Sequence, residues 1–173
     1  MADRLKDKVA IVTGAGSRGP GIGNGRATAI LFAREGAHVV LVDRVAEWAD
    51  QTLGMIADEH GDAFVMSADV TLASDCQSVV DEAVRRFGRV DILQNNVGIG
   101  GSGTVVDIAE ESWDEVMRVN VKSSRNLRNR ECPLNSPGVG LRACLKDAVF
   151  EPNDFDSTGQ NHLSQGRPIP KLC

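Results

Sequence analysis

The feature that most constrains this chain is a regular alternation in its first two thirds. Short apolar runs that read as strands take turns with stretches of helical spacing. The first run, residues 8–12 (KVAIV), ends in Thr13-Gly14. Residues 25–34 (GRATAILFAR) place Ala29, Phe32 and Ala33 on one helical side, and Gly36 closes that helix. A second apolar run covers 38–42 (HVVLV), with a helix over 45–59 that ends at His60-Gly61. The third run is 63–67 (AFVMS), and its helix spans 73–87, striped by Val79, Val80, Ala83, Val84 and Phe87 and stopped by Gly88. The fourth run is 90–93 (VDIL), and a fourth helix covers 110–122, with Trp113, Val116, Met117 and Val121 at helical spacing. Strands that alternate with helices of this length form βαβ units and a parallel sheet. Right-handed crossovers put helices on both faces, and the expected strand order is 3-2-1-4. The fold class is α/β, a doubly wound, Rossmann-like parallel sheet, incomplete in this chain and followed by an irregular C-terminal tail.

Between the first strand and the first helix stands Thr13-Gly14-Ala15-Gly16-Ser17-Arg18-Gly19-Pro20-Gly21-Ile22-Gly23-Asn24-Gly25. Glycine lets a backbone turn tightly and approach a pyrophosphate with no Cβ in the way. The helix that follows aims free N–H groups at the phosphates. A glycine pattern alone is weak, but strand before and helix after supply the context it needs. Asp43 ends the second strand about 20 residues past Gly23. A carboxylate there accepts hydrogen bonds from the adenosine ribose and repels a 2′-phosphate, which favours NAD over NADP. Arg44 beside it weakens that preference. The alternative, a glycine-rich loop with no ligand, is disfavoured by strand, glycines, helix and Asp43 taken together. No Gly-Lys-Ser/Thr ends the loop, so an NTPase P-loop is not indicated.

Composition excludes several classes. A formal net charge of -5 offers no basic surface for nucleic acid or an anionic membrane. No apolar run is long enough for a transmembrane helix, and the charged start MADRLKDK lacks the apolar core of a secretory signal. The expected location is the cytoplasm, where Cys76, Cys132, Cys144 and Cys173 stay reduced. The three late cysteines with His162 match no common zinc spacing, so no metal site is assigned.

After about Ser124 the sequence changes character. Five of the six prolines and three of the four cysteines lie beyond it, and the net charge turns from acidic to basic. Residues 139–150 form the best candidate helix there, short and weakly amphipathic, and from 151 onward the composition is that of turn or disorder. Two units are therefore expected, a dinucleotide-binding half-domain over 1–124 and an irregular tail over 125–173.

Four motifs in order resemble the short-chain dehydrogenase/reductase family. Thr13, Gly14, Gly21 and Gly23 are similar to its Thr-Gly-xxx-Gly-x-Gly turn, in a loop three residues longer than the common form. Asp69-Val70 resembles its adenine-contacting aspartate. Asn95-Asn96-Val97-Gly98 is similar to the element beneath the nicotinamide ribose, and Asn120 in VMRVNVKS matches the active-site asparagine that holds a water in the proton relay. The resemblance implies a cofactor set of Gly14, Ser17, Gly21, Ile22, Gly23, Asp43, Asp69, Val70, Asn96, Val97 and Gly98. It implies hydride transfer at a small alcohol or ketone. Taken singly, Asp43 and Asp69 also read as strand-end caps, Asn95 and Asn96 as turn formers, and Asn120 as an unused polar residue.

The family's tyrosine acid/base, the lysine four residues on and its serine are not matched. The chain contains no tyrosine at all. No apolar fifth strand is apparent. The chain reads as a truncated, weakly active or inactive oxidoreductase, as a non-catalytic NAD-binding or dimer-forming module, or as the product of a frameshift or altered splicing. An open edge on the fourth strand and an uncovered fourth helix, which in this family usually meets a partner subunit, predict marginal stability and self-association into homo-oligomers.

Overall fold

The computed structural model describes residues 3–19, 21–104, 106–131 and 143–145. Five strands and five helices are described: β1 (Val9–Thr13), α1 (Asn24–Arg34), β2 (His38–Asp43), α2 (Ala46–Asp58), β3 (Asp62–Ser67), α3 (Ala73–Phe87), β4 (Ile92–Gln94), α4 (Glu110–Met117), α5 (Ser123–Glu131) and β5 (Ala143–Leu145). The sheet is parallel, in the order β3-β2-β1-β4-β5.

Successive side chains on a strand face opposite sides, and here both sides are covered. Ala10 and Val12 of β1 join Val39 and Leu41 of β2 under α1 and α2, with Ala29, Ile30, Ala49 and Ile56. Ile11, Val40 and Val42 face the other way, against Val79, Val80 and Ala83 of α3 and Leu127 of α5. That double burial is why β1 and β2 read as unbroken apolar runs rather than alternating ones. Gly36 and Gly88 end α1 and α3 with positive φ, +88° and +75°, as the sequence predicts for helix-stopping glycines. Asp91, just before β4, is buried and accepts a 3.0 Å hydrogen bond from the backbone N–H of Val9, which ties the two central strands at their N-terminal ends.

The described structure departs from the sequence expectations in three places. First, β4 is not an open edge. Residues Ala143–Leu145 pair with Ile92, Leu93 and Gln94. They lie inside the stretch predicted as a weakly amphipathic helix; the rest of 139–150 lies outside the described residues. A row of unpaired strand N–H and C=O groups recruits a partner more strongly than a weak helical pattern resists it. Second, the expected boundary at Ser124 falls inside α5. Leu127 is buried against α3, and the Asn126 amide donates to the carbonyls of Val70 (3.2 Å) and Thr71 (3.1 Å). The segment SSRNLRNRE carries a single apolar anchor, too little for any periodicity to show. Third, the helix predicted over 110–122 is interrupted. After α4 the backbone takes a π-helical turn over Arg118–Lys122 and continues into α5. The stripe read for this helix is not core: Trp113, Met117 and Val121 are 46%, 41% and 50% exposed. The late cysteines and His162 lie outside the described residues, apart from the backbone of Cys144 in β5. No helix among the described residues is long and apolar enough to cross a membrane.

Candidate functional site

All strands of a parallel sheet deliver their C-terminal ends to one edge. At that edge β1 leads into the glycine-rich turn, and its neighbours on either side, β2 and β4, leave toward opposite faces. A crevice opens where the strand order reverses in this way. Here it is a cleft of about 460 Å³ lined by residues of the turn, of the ends of β2, β3 and β4, and of α4 with its π turn. Of the residues read from the sequence, Gly14, Ser17, Asp43, Asp69, Val70, Asn96, Val97 and Gly98 line it together. Gly21, Ile22, Gly23 and Asn120 do not; Ile22 is 67% exposed.

The turn is held from both sides. The Asn96 side-chain amide donates to the Gly14 carbonyl at 3.2 Å, and the Asn96 backbone N–H donates to the Thr13 hydroxyl at 3.0 Å. That hydroxyl in turn donates to the Gln94 carbonyl at 3.2 Å. The asparagine element after β4 thus staples the ends of β1 and β4. Gly14 has a φ of +60°, and a Cβ there would lie 3.0 Å from the Asn96 amide nitrogen. A side chain at Gly16 would stand 2.9 Å from Asp43 Oδ2 and 2.9 Å from the Trp48 carbonyl carbon. These two glycines let the turn pack closely against the asparagine element after β4 on one side and against Asp43 and α2 on the other.

The close helix-to-strand packing belongs to Gly25. A Cβ on it would strike the Gly14 carbonyl oxygen, whereas around Gly21 nothing lies within 4 Å and around Gly23 only Ser17 Oγ does, at 3.9 Å. In sequence the signal for Gly25 is its place at the first turn of the apolar helix that follows, GRATAILFAR.

Asp43 sits at the rim with both carboxylate oxygens engaged. Oδ2 accepts from the Gly16 N–H at 3.0 Å and Oδ1 from the Val45 N–H at 3.1 Å. Each oxygen keeps a lone pair for a further donor. Asp69 lies across the cleft, where Oδ1 accepts from the backbone N–H (2.9 Å) and hydroxyl (2.7 Å) of Thr71. Burial pushes the Asp69 carboxyl up; the Thr71 hydroxyl and N–H, with the charges of Arg118 and Arg44, outweigh that and leave it below the ordinary aspartate value. Charge in the cleft is mixed. Arg18, Arg44 and Arg118 stand among Asp43, Asp69 and Glu115. The Arg18 guanidinium lies 5.8 Å from the centre of the Trp48 ring. Hydrogen bonding by Arg118 holds the Glu115 carboxyl below its usual range. Sequence reasoning missed Arg18, Trp48, Glu115 and Arg118 as lining residues. Trp48 carried a faint signal, an aromatic in the first turn after Asp43; the others looked like solvated surface.

Asn120 stands in the π turn and works on the backbone. Its Oδ1 accepts from the Ile99 N–H at 2.8 Å and its amide donates to the Ile99 carbonyl at 3.0 Å. The loop that follows Gly98 is thereby fixed against the π turn, and with α4 it forms an open depression of about 300 Å³ beside Gly100, Gly101, Ser112 and Val116.

Comparison with known proteins agrees with this geometry. The family model described as short chain dehydrogenase matches residues 8–133. An uncharacterized oxidoreductase of Thermotoga maritima is 40% identical over 118 residues, 68% of this chain and 44% of that protein. A 2-(S)-hydroxypropyl-CoM dehydrogenase of Xanthobacter autotrophicus is 39% identical over 121 residues, 70% of this chain and 46% of that one. Among solved structures, a short chain dehydrogenase from Mycobacterium smegmatis superposes with a TM-score of 0.67 at 35% identity, covering 75% of this chain and 52% of the other. The chain spans about half the length of the curated relatives it matches. A parallel sheet with its glycine turn, its acidic strand ends and its asparagine staple, matched over 8–133, makes this chain a member of the short-chain dehydrogenase family.

Proposed function

We propose that this chain carries the cofactor-binding half of an oxidoreductase acting on a hydroxyl or carbonyl group, that its cofactor is NAD rather than NADP, and that the chain as given turns over weakly or not at all. The observation that carries the cofactor reading is Asp43. Two backbone N–H groups fix its carboxylate at the cleft rim, where a ribose hydroxyl can share its free lone pairs and a 2′-phosphate meets a fixed negative charge. Gly14, Ser17 and the start of α1 would receive the pyrophosphate, Asp69 and Val70 the adenine, and Asn96 to Gly98 the nicotinamide ribose. The bound cofactor would supply a hydride acceptor or donor. Asn120 would position the wall beside it by clamping Ile99.

Reduced turnover rests on the lack of any tyrosine in the chain, which leaves the family's usual proton donor unmatched. That same lack favours a second reading, a cofactor-binding module that pairs with another copy through the exposed Trp113, Met117 and Val121.

The direct test is a titration of the purified chain with NADH and with NADPH, read by Trp48 fluorescence and the thermal midpoint. Saturable quenching with a raised midpoint is expected, with NADH bound about tenfold more tightly, the equivalent of one charge interaction. Equal or tighter binding of NADPH overturns the assignment of NAD. Hydride transfer to a panel of small ketones at ordinary enzyme rates overturns the claim of reduced turnover.

A further inference from the structure

With Asp91, which faces Lys8 and Arg89, Arg26 is the most deeply buried charge among the described residues. It is 1% exposed, yet it forms no ion pair among the described residues. Its partners are all neutral. Nε donates to the Thr52 hydroxyl at 3.1 Å, Nη1 to the Gly21 carbonyl at 3.0 Å, and Nη2 to the Gln51 side-chain oxygen at 3.0 Å and the Trp48 carbonyl at 3.4 Å. Burying a guanidinium without a counter-charge costs several kcal/mol in general. Its place in the first turn of α1 adds to the cost, since a helix N-terminus disfavours a cation. A residue held at such a cost has something to hold.

What it holds is the turn. Thr52 donates its hydroxyl proton to the Ala15 carbonyl at 2.8 Å. Ala15 lies near the start of the turn and Gly21 in its outer half, so one turn of α2 is tied to both halves, to the second through Arg26. Little else secures that outer half. A Cβ on Gly19 or Gly21 would meet nothing within 4 Å, and Ile22 stands in solvent. Among the described residues, Arg26 is the side chain that hydrogen-bonds it.

We propose that Arg26 is a positioning residue that clasps the glycine-rich turn to α2 in the shape that receives the pyrophosphate of the cofactor. The inference rests on the assignment of a dinucleotide to this cleft. A lysine keeps the charge but cannot reach several acceptors in a fixed fork, so the clasp separates from the charge on substitution.

The test compares the full chain with Arg26→Lys, Arg26→Gln and Gln51→Ala. Amide hydrogen exchange over 16–23 is measured without ligand, and affinities are measured for adenosine, ADP and NADH. Both Arg26 variants are expected to exchange about tenfold faster over the turn and to bind ADP and NADH about tenfold more weakly, the size of one lost charge-assisted hydrogen bond. Adenosine binding should change less than about twofold, because it does not call on the pyrophosphate turn. Gln51→Ala removes one acceptor from an exposed position and should give a smaller change of the same pattern, which covers the case in which the Arg26 variants fail to fold. Wild-type ADP binding in Arg26→Lys overturns the clasp in favour of charge alone. Parallel losses for adenosine and ADP, or turn exchange unchanged in Arg26→Gln and Gln51→Ala, overturn it as well. If the unsubstituted chain binds neither NADH nor ADP, the cofactor assignment fails, and turn exchange alone then decides whether Arg26 holds this segment.

Discussion

Gly16 and Gly21 stand in one turn and look alike in the sequence, but they carry different constraints. A methyl at Gly16 would press on the Asp43 carboxylate and the backbone of α2, neither of which gives way easily. Gly16→Ala is expected to cost about 2 kcal/mol, the usual scale for forcing a group into packed surroundings. Gly21→Ala has open space and should stay within about 0.5 kcal/mol of the parent. Urea melts of the two variants check the contrast, and equal costs would refute it. Asp43→Asn keeps an acceptor for the Val45 N–H and removes the charge. The ratio of NADPH to NADH affinity should then rise about tenfold, one charge interaction's worth, in the same fluorescence titration. At this scale the sequence was half legible. Glycine richness after a strand identifies the turn, and an acid at the end of the next strand identifies the carboxylate that meets it at the cleft rim. Which glycines are sterically required depends on what approaches them in three dimensions. For Gly16 that is Trp48, and for Gly25 it is Gly14 and Asn96.

Elements fail to show in sequence for a similar reason, since helices and strands with a single anchoring contact have no period to detect. α5 is fixed by Leu127 and Asn126, and β5 by the open edge of β4; neither signal is local. β1, β2 and α3 were legible because each is buried along a whole face. The junction after β3 shows how one side chain sets an element's end. Asp69 accepts two hydrogen bonds from Thr71, and its own backbone N–H donates to Asp75 Oδ2 at 3.0 Å, so the first turn of α3 is anchored to the strand end. Its pKa is depressed in the folded chain, so the stabilisation is full above the ordinary aspartate range and disappears as the pH falls through the depressed value. Asp69→Asn should therefore cost about 1 kcal/mol at pH 7, with solvent screening allowed for, and progressively less on acidification. Urea melts at neutral pH and near pH 3 test the sign; a cost that grows toward acid would contradict it. The π turn is a second such junction. Asn120→Ala removes both hydrogen bonds to the Ile99 backbone and is expected to cost about 1–2 kcal/mol while hydrogen exchange rises over 99–104.

For the molecule as a whole, α4 is the wall on which two surfaces meet. Glu115 and Arg118 line the cleft at the strand ends, the latter from the π turn that continues α4, while Trp113, Met117 and Val121 present an apolar stripe to solvent. Large apolar side chains grouped on one face in this way mark a surface that gains by being covered. If a second copy covers it, the outer face of α4 is pinned, and the cleft residues on its other side lose freedom before the cofactor arrives. Two binding events that each order the same helix help one another, and the help is reciprocal. NADH should then tighten self-association by the same factor by which self-association tightens NADH, about fivefold at the low end of common coupling energies. Sedimentation velocity across a dilution series, with and without saturating NADH, measures one side of that cycle, and NADH titrations at low and high chain concentration measure the other. Met117→Lys places a charge in the middle of the stripe and should leave a monomer whose NADH affinity no longer depends on concentration. A wild-type chain that stays monomeric at tens of micromolar with NADH bound would show that the stripe does not serve this purpose. A dimer whose affinity for itself ignores NADH would show that α4 is already rigid without a partner.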